Sequence, residues 1–379
     1  MRGAAAAGAL LLVAGCGGGG GGGGADEGSA SGGGGSGGAV VDSGTGAVTG
    51  NPAGACVVPD YPDPVLAAQP PATVVGDGTP DSCTGAAVVA AVAAGGWVTF
   101  ACGDAPVIIT MTETARVFND RPDLILDGGG KVTLSGGGTR RILYQNTCDP
   151  ALVWTSTRCD LQDNPHTTIR DLAMVDGDSS GQDYGRDDVL GGGAIFARGG
   201  RLTVDRVAFR RNRCEALGPD LGGAALRAVG MPAAPLRVIA STFGGSADDG
   251  NVCANGGGLS GLHASFAIYN SHFSHNRAIG DGANPARAGT AGGGSGGAIY
   301  MDGTAMDLSV CGTTVTDNTA NEGGGAIFYV SNDRSGTMSL TDSQLARNPS
   351  AGFETSGLPG MFVLAADGQP VISGTTLAP

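Results

Sequence analysis

The chain has 379 residues, a net charge of −14 and an aromatic content of only 5%. Lys131 is its single lysine. Such an acidic surface repels nucleic acid and anionic lipid headgroups, so we expect no binding to nucleic acid or directly to anionic membranes.

Residues 1–16 have the layout of a bacterial lipoprotein signal peptide with its lipobox. Arg2 precedes a short apolar run, 4–13, and small residues lead to Cys16. The run is too short to span a bilayer as a helix. We expect cleavage before Cys16 and acylation of this cysteine, which attaches the exported protein to membrane lipid. An ordinary secretory signal with a chance cysteine is the alternative.

Three further regions follow. Residues 17–50 are almost entirely small and polar, which predicts a disordered Gly/Ser-rich tether. Residues 51–76 are rich in proline and are expected to run extended along the outside of a folded domain, 77–379. That domain begins with an Ala/Val-rich helix, 84–94, followed by Gly-Gly and a strand, 97–101. We expect the helix to cap the N-terminal edge of the fold.

Seven segments then repeat one frame, apolar-x-apolar-x-x-[Val/Ser/Thr/Leu]-x-apolar. Apolar residues two apart share one side of a strand, and the two-residue interruption is a corner. The copies are 167–174, 202–209, 236–243, 266–273, 308–315, 338–345 and 370–377.

A glycine run leading into a short apolar strand precedes five of these frames. The runs are at 193–195, 223–226, 258–259, 297–299 and 325–327. Three short strands per repeat, recurring about every 30 to 40 residues, predict a solenoid, because one such unit buries its apolar face only against a neighbour. The expected fold is all-β: a right-handed parallel β-helix of three-strand coils with a short N-terminal capping helix.

Most frames end, three residues later, in an asparagine. Stacked strands lie about 4.8 Å apart, so equivalent asparagines are expected to form a hydrogen-bonded structural ladder at one corner. Its members are Asn212, Asn276, Asn318 and Asn348. In the third copy the same position holds Ser246.

Two of these elements carry a family resemblance. Gly-Gly-Ala-Ile at 192–195, 296–299 and 324–327, and Phe-x-x-Asn at 209–212 and 273–276, resemble the paired motifs of polymorphic outer membrane protein repeats. Those repeats belong to the pectin-lyase-like β-helix superfamily. The resemblance covers roughly residues 77–379 and implies a secreted or surface-displayed protein, often an adhesin.

Nine cysteines are present, and acylation of Cys16 leaves an even number in an exported chain. This composition predicts a disulfide framework. We pair the two cysteines that bracket the helix, the two that close a local loop and the two that lie in successive inter-coil loops. The two cysteines that remain form the last pair, by elimination. The pairs are Cys83–Cys102, Cys148–Cys159, Cys214–Cys253 and Cys56–Cys311.

The loops between each corner and the next glycine run are acidic, which leaves a catalytic alternative open. Clustered carboxylates raise one another's pKa or bind a cation. A polysaccharide lyase or glycoside hydrolase of the superfamily would use such groups with an arginine as base. The candidates are Asp187, Asp188, Asp248, Asp249, Arg198 and Arg227. The Gly-His-Gly and Arg-Ile-Lys signatures of pectin-cleaving members do not occur in the sequence.

One loop also has the spacing of calcium ligands. Asp176, Asp178 and Ser180 are followed by Gly181, and Asp187 stands at the twelfth position. Ca²⁺ is therefore the one cofactor that the sequence favours, and a Gly/Ser/Asp-rich turn without a metal is the alternative.

These observations predict a monomeric, lipid-anchored module on the bacterial outer membrane or cell surface. We expect it to act without catalysis, as a structural or adhesive surface or as a binding module for a polysaccharide or surface protein.

Overall fold

The computed structural model describes residues 49–59, 73–182 and 190–379. The signal peptide with Cys16, nearly all of the predicted tether and part of the proline-rich segment lie outside the described residues.

The described chain is predominantly β. Its α-helix, α1, spans Gly85–Ala94, and two short 3₁₀ helices span Pro80–Ser82 and Cys159–Leu161. The strands are β1 (Thr73–Val75), β2 (Gly96–Phe100), β3 (Val107–Thr110), β4 (Ala115–Val117), β5 (Asp123–Ser135), β6 (Leu143–Asn146), β7 (His166–Val175), β8 (Ile195–Arg198), β9 (Arg201–Arg210), β10 (Leu226–Ile239), β11 (Thr242–Gly244), β12 (Val252–Cys253), β13 (Leu259–Tyr269), β14 (His272–Ser274), β15 (Arg277–Ala278), β16 (Ile299–Gly303), β17 (Asp307–Cys311), β18 (Thr314–Thr316), β19 (Thr319–Ala320), β20 (Ile327–Ser331), β21 (Thr337–Thr341), β22 (Gln344–Ala346), β23 (Met361–Leu364), β24 (Val371–Ser373) and β25 (Thr376–Ala378).

Each strand pairs in parallel with its equivalent in a neighbouring repeat, and the long sheet contains three columns of strands. Column A contains β4, β6, β8, the first parts of β10 and β13, β16, β20 and β23. Column B contains β1, β2, the first parts of β5, β7 and β9, the second parts of β10 and β13, β17, β21 and β24. Column C contains β3, the second parts of β5, β7 and β9, β11, β14, β18, β22 and β25. The short strands β12, β15 and β19 form a separate parallel sheet.

The repeated frame accounts for columns B and C. Its apolar positions are buried, as Val204 and Phe209 are in β9. The second residue of each interruption turns the chain with a positive φ, for example Asp171 and Arg206. The residue after this turn is often serine or threonine. Its hydroxyl oxygen accepts a hydrogen bond from the backbone N–H of the residue at the same position in the preceding repeat. This hydroxyl ladder contains Ser241, Ser271, Thr313, Ser343 and Thr375.

The four asparagines predicted as a ladder are buried at one corner, but their series contains a fifth member. Asn251 lies between Asn212 and Asn276, and its side chain links the two through amide hydrogen bonds of 2.9 and 2.8 Å. Ser246, the residue at the predicted position, is exposed and donates to Asp249. The frame spacing does not reach the corner of this copy, because a loop of five extra residues delays it until Asn251.

The predicted helix forms within one residue of its expected start. The Thr84 side chain caps α1 by accepting a hydrogen bond from the Ala87 N–H. Val88 and Val92 are completely buried, and α1 packs against β4, the first strand of column A. Gly95, with a positive φ, ends the helix.

Four disulfides are present: Cys56–Cys311, Cys83–Cys102, Cys148–Cys159 and Cys214–Cys253. The first ties segment 49–59 to the end of β17. Asn270 holds the same segment, because its amide accepts from the Cys56 N–H and donates to the Cys56 carbonyl oxygen, both at 2.9 Å.

Candidate ligand-binding groove

The outward face of column A carries two rows of side chains, because strand residues two apart share a face. The inner row is Tyr144, Phe196, Arg227, Ser260, Tyr300, Phe328 and Phe362. The outer row is Asn146, Arg198, Val229, Leu262, Asp302, Val330 and Leu364. Most inner-row residues are buried although they point away from the core, so loops must cover them. Tyr300 illustrates this, since its hydroxyl donates to the Pro219 carbonyl oxygen of such a loop.

Two adjoining pockets form a groove over these rows. The Arg227 pocket has a volume of about 620 Å³ and the Asp302 pocket about 430 Å³. The two share Asp220, Leu262 and His263. The Arg227 pocket is further lined by Asp160, Arg198, Leu221, Arg227, Val229, Gly230 and Pro232. The Asp302 pocket is further lined by Asn284, Pro285, Asp302, Gly303, Val330 and Asn332.

Arg227 is only 4% exposed, and its buried Nε and Nη1 atoms have no hydrogen-bond partner among the described residues. Burial lowers the pKa of its guanidinium to about 10. The negative charges of Asp220 and Glu215 oppose that shift through space. At neutral pH the group therefore remains a cation, and Arg227 is one of the residues that line the pocket.

Arg198, in the outer row of the same pocket, is already engaged in an ion pair. Its Nε donates to Asp160 Oδ1 at 2.7 Å. Asp160 directly follows Cys159, so the Cys148–Cys159 disulfide anchors the chain next to it. The atoms of Cys148, Cys159 and Asp160 are close enough to hold a metal, but the disulfide occupies both sulfur atoms and removes them as ligands.

The Asp302 pocket is built around one amide group. Asn284 Nδ2 donates to Asp220 Oδ1 and to Asp302 Oδ2, each at 2.7 Å, and lies 3.0 Å from the Tyr300 hydroxyl oxygen. Asn332 binds the other oxygen of Asp302 at 2.7 Å. Burial raises the pKa of Asp302, and the charge of Asp220 adds to the shift. Burial likewise raises the pKa of Tyr300.

A separate pocket of about 370 Å³ contains Asp248, Asp176 and Asp178. Arg211 crosses it and binds Asp176 at 2.8 Å and Asp249 at 2.9 Å. Arg213 and Arg277 line it as well. The carboxylates of this corner therefore face cations of the protein.

The predicted calcium loop is described only in part. Asp178 Oδ1 accepts hydrogen bonds from the Ser180 N–H and hydroxyl, and Asp176 binds Arg211. Asp187 lies outside the described residues. The calcium site stays a prediction.

The structure separates the residues of the catalytic alternative. Arg198 and Arg227 lie together in the groove, whereas Asp248 and Asp249 lie at the Arg211 corner. Asp187 and Asp188 are outside the described residues. Sequence reasoning missed Asp160, Asn284, Tyr300 and Asp302. Aligning the strands that follow the glycine runs, Ile-Phe-Ala-Arg with Ile-Tyr-Met-Asp, would have placed Tyr300 and Asp302 on the outward face.

Within the described residues, none of the helices has the length and apolar character needed to cross a membrane. No protein-family model, curated protein or solved structure matches the chain. The resemblance to polymorphic outer membrane protein repeats therefore stays a prediction.

Proposed function

We propose that the chain folds as a right-handed parallel β-helix capped by α1 and serves as a lipid-anchored envelope module that binds a ligand in the groove without transforming it. The three parallel columns support the fold, and parallel crossovers are right-handed in almost all proteins. The four disulfides are typical of an oxidising, exported environment.

The proposed binding function rests on one observation: Arg227 is buried in a pocket with two hydrogen-bond donors that have no partner among the described residues. A buried cation whose donors lack partners is destabilising, and such a group in a cleft marks a candidate functional site. The position of Arg227 in a pocket of about 620 Å³ gives a ligand room.

The binding function is tested with the mature full-length protein in detergent. It is incubated with envelope and extracellular polysaccharides and with peptides of surface proteins, and retention and reaction products are measured in the same samples. Retention without new reducing ends or unsaturated sugars is the expected result. Absence of retention across the panel would contradict the proposal.

Lipid anchoring is tested in cells with radiolabelled palmitate. We expect label in the membrane fraction for the native protein and none for Cys16→Ala. Equal labelling of the two proteins would exclude Cys16 as the anchor.

A glycoside hydrolase is the second candidate, and the Asp220–Asp302 pair favours it. Such enzymes use two neighbouring carboxyl groups, one with a raised pKa as the acid and one as base or nucleophile. Here Asp220 and Asp302 both accept a hydrogen bond from Asn284, and burial raises the pKa of Asp302. In that case new reducing ends would appear with the native protein, and Asp302→Asn would reduce their rate at least about 100-fold. Asp342→Asn, an exposed change outside the groove, is the matched control.

A further inference from the structure

We propose that the Arg227 pocket binds the carboxylate of a ligand whose body is apolar. This inference rests on the proposed binding function and gives its ligand a chemical class. Two sources supply that chemistry: a free alkyl carboxylate, and the C-terminal residue of a peptide with an apolar side chain.

Arg227 is a buried cation in the wall of this pocket. Its Nε and Nη1 atoms are buried and without hydrogen-bond partners among the described residues. A guanidinium presents its N–H groups as a planar fork that matches the two oxygens of a carboxylate. A ligand carboxylate in the pocket would therefore pair with a cation that lines it and for which the described residues leave two donors without partners.

The wall of the pocket beside Arg227 is largely apolar. Leu221, Val229, Pro232 and Leu262 surround the cation with apolar surface. The aromatic residues of this face stack within the inner row or under loops, so they do not line the pocket as a platform for sugar rings. The lining favours an alkyl or aliphatic body over a chain of hydroxylated sugars.

The charges of the pocket favour a ligand with a single negative charge. Asp160 is paired with Arg198, so Asp220 and Arg227 are the remaining charged carboxylate and guanidinium of the pocket. A second negative charge on the ligand would be repelled by Asp220, which lines the same pocket. A singly charged carboxylate fits this balance better than a dianionic phosphate.

The test is calorimetric titration of the full-length protein in detergent, using octanoate, N-acetyl-leucine, octanol and octyl phosphate as probes. Each probe is also titrated into the detergent alone, and this heat of mixing with micelles is subtracted. We expect octanoate or N-acetyl-leucine to bind and octanol and octyl phosphate to bind at least about tenfold more weakly. Arg227→Met should weaken carboxylate binding about 10- to 100-fold. Arg277→Met, an exposed arginine outside the groove, should leave binding unchanged.

A second variant covers the case in which the Arg227 variant fails to fold. Leu262→Trp keeps the cation but fills the pocket from its half-buried rim, so carboxylate binding should be lost while the melting temperature stays near that of the native protein. Carboxylate binding that persists in this variant, or in a folded Arg227→Met, would overturn the proposal.

The remaining outcomes separate the ligand sources and the two proposals. Tighter binding of octanoate assigns the pocket to free alkyl carboxylates, and tighter binding of N-acetyl-leucine assigns it to peptide C-termini. Failure of both carboxylates overturns this inference. If polysaccharides or internal peptide segments are then still retained, independently of Arg227, the proposed binding function survives without it.

Discussion

Arg227 occupies a position that neighbouring repeats give mostly to aromatic rings. Phe196 precedes it in the inner row, and Tyr300 and Phe328 follow beyond Ser260. Such rings stack, as Tyr300 does on Phe328 with 5.0 Å between the ring centroids. Arg227 interrupts this packing with a buried charge, which is the kind of local conflict that functional sites retain.

Replacing this charge should stabilise the protein. Arg227→Met removes an unpaired buried cation, and the flexible thioether can pack beside Phe196. We expect the free energy of unfolding in urea at pH 7 to rise by about 1–3 kcal/mol. Arg277→Met, at an exposed site, should change it by less than about 0.5 kcal/mol. A destabilised Arg227→Met variant would mean that the cation has a structural partner.

The corner of the third frame copy depends on Asn251. Its amide oxygen accepts from the Asn212 N–H at 3.0 Å and from Asn212 Nδ2 at 2.9 Å. Its own Nδ2 donates to Asn276 Oδ1 and to the Phe209 carbonyl oxygen. The frame alone points to Ser246, so the two residues provide a direct test of the corner.

We expect Asn251→Ala to lower the free energy of unfolding by about 2–4 kcal/mol, because several buried donors and acceptors lose their partners. Ser246→Ala should cost less than about 0.5 kcal/mol, since Ser246 is exposed. Both values come from urea unfolding at pH 7. Equal losses for the two variants would refute the assignment of this corner.

At the scale of elements, one ion pair holds the loop that supplies Asn284 to the groove. Arg287 Nη1 and Nη2 bind the two oxygens of Glu322 at 2.6 and 2.7 Å. The Gly282 N–H also donates to Glu322. Gly282 and Arg287 of this loop therefore both bind Glu322, and Asn284 lies between these two anchored residues in the chain.

The stabilisation that the Arg287–Glu322 ion pair gives the protein should depend on pH. The hydrogen bonds from Arg287 lower the pKa of Glu322 below its ordinary value of 4.5. The stabilisation is therefore complete above about pH 4.5 and is lost as the pH falls through the lowered pKa. We expect Glu322→Gln to be less stable than the native protein at pH 7, with the difference shrinking towards pH 3 in urea titrations. Asp281→Asn, which removes only the longer 3.5 Å contact with Arg287, should show a smaller pH-dependent difference.

At the scale of the whole molecule, periodic features could be predicted and groove contacts could not. The frame predicted columns B and C, because every second strand residue is buried and each repeat has one corner, and both features recur regularly in the sequence. The groove depends on loops that cross to distant strands. Asn284 meets Asp220 across 64 residues, and Tyr300 meets Pro219 across 81. Such contacts follow no period, so no spacing in the sequence marks them.

The longest-range constraint is the Cys56–Cys311 disulfide, which links residues 255 apart, whereas Cys148–Cys159 links residues 11 apart. A disulfide stabilises mainly by limiting the unfolded chain, and this effect grows with the loop it closes. Replacing Cys56 and Cys311 by serine should therefore lower the free energy of unfolding by up to about 5 kcal/mol, against about 3 kcal/mol for Cys148 and Cys159.

Urea unfolding of the two double variants under oxidising conditions measures the difference. In the first variant, Asn270 still holds segment 49–59, because its hydrogen bonds go to the backbone N–H and carbonyl oxygen of residue 56, which the serine keeps. The folded state therefore keeps its local contacts, and the loss reports on the unfolded chain. A larger loss for the local Cys148–Cys159 pair would mean that this disulfide acts mainly on the folded state, next to Asp160, and would contradict the entropic account.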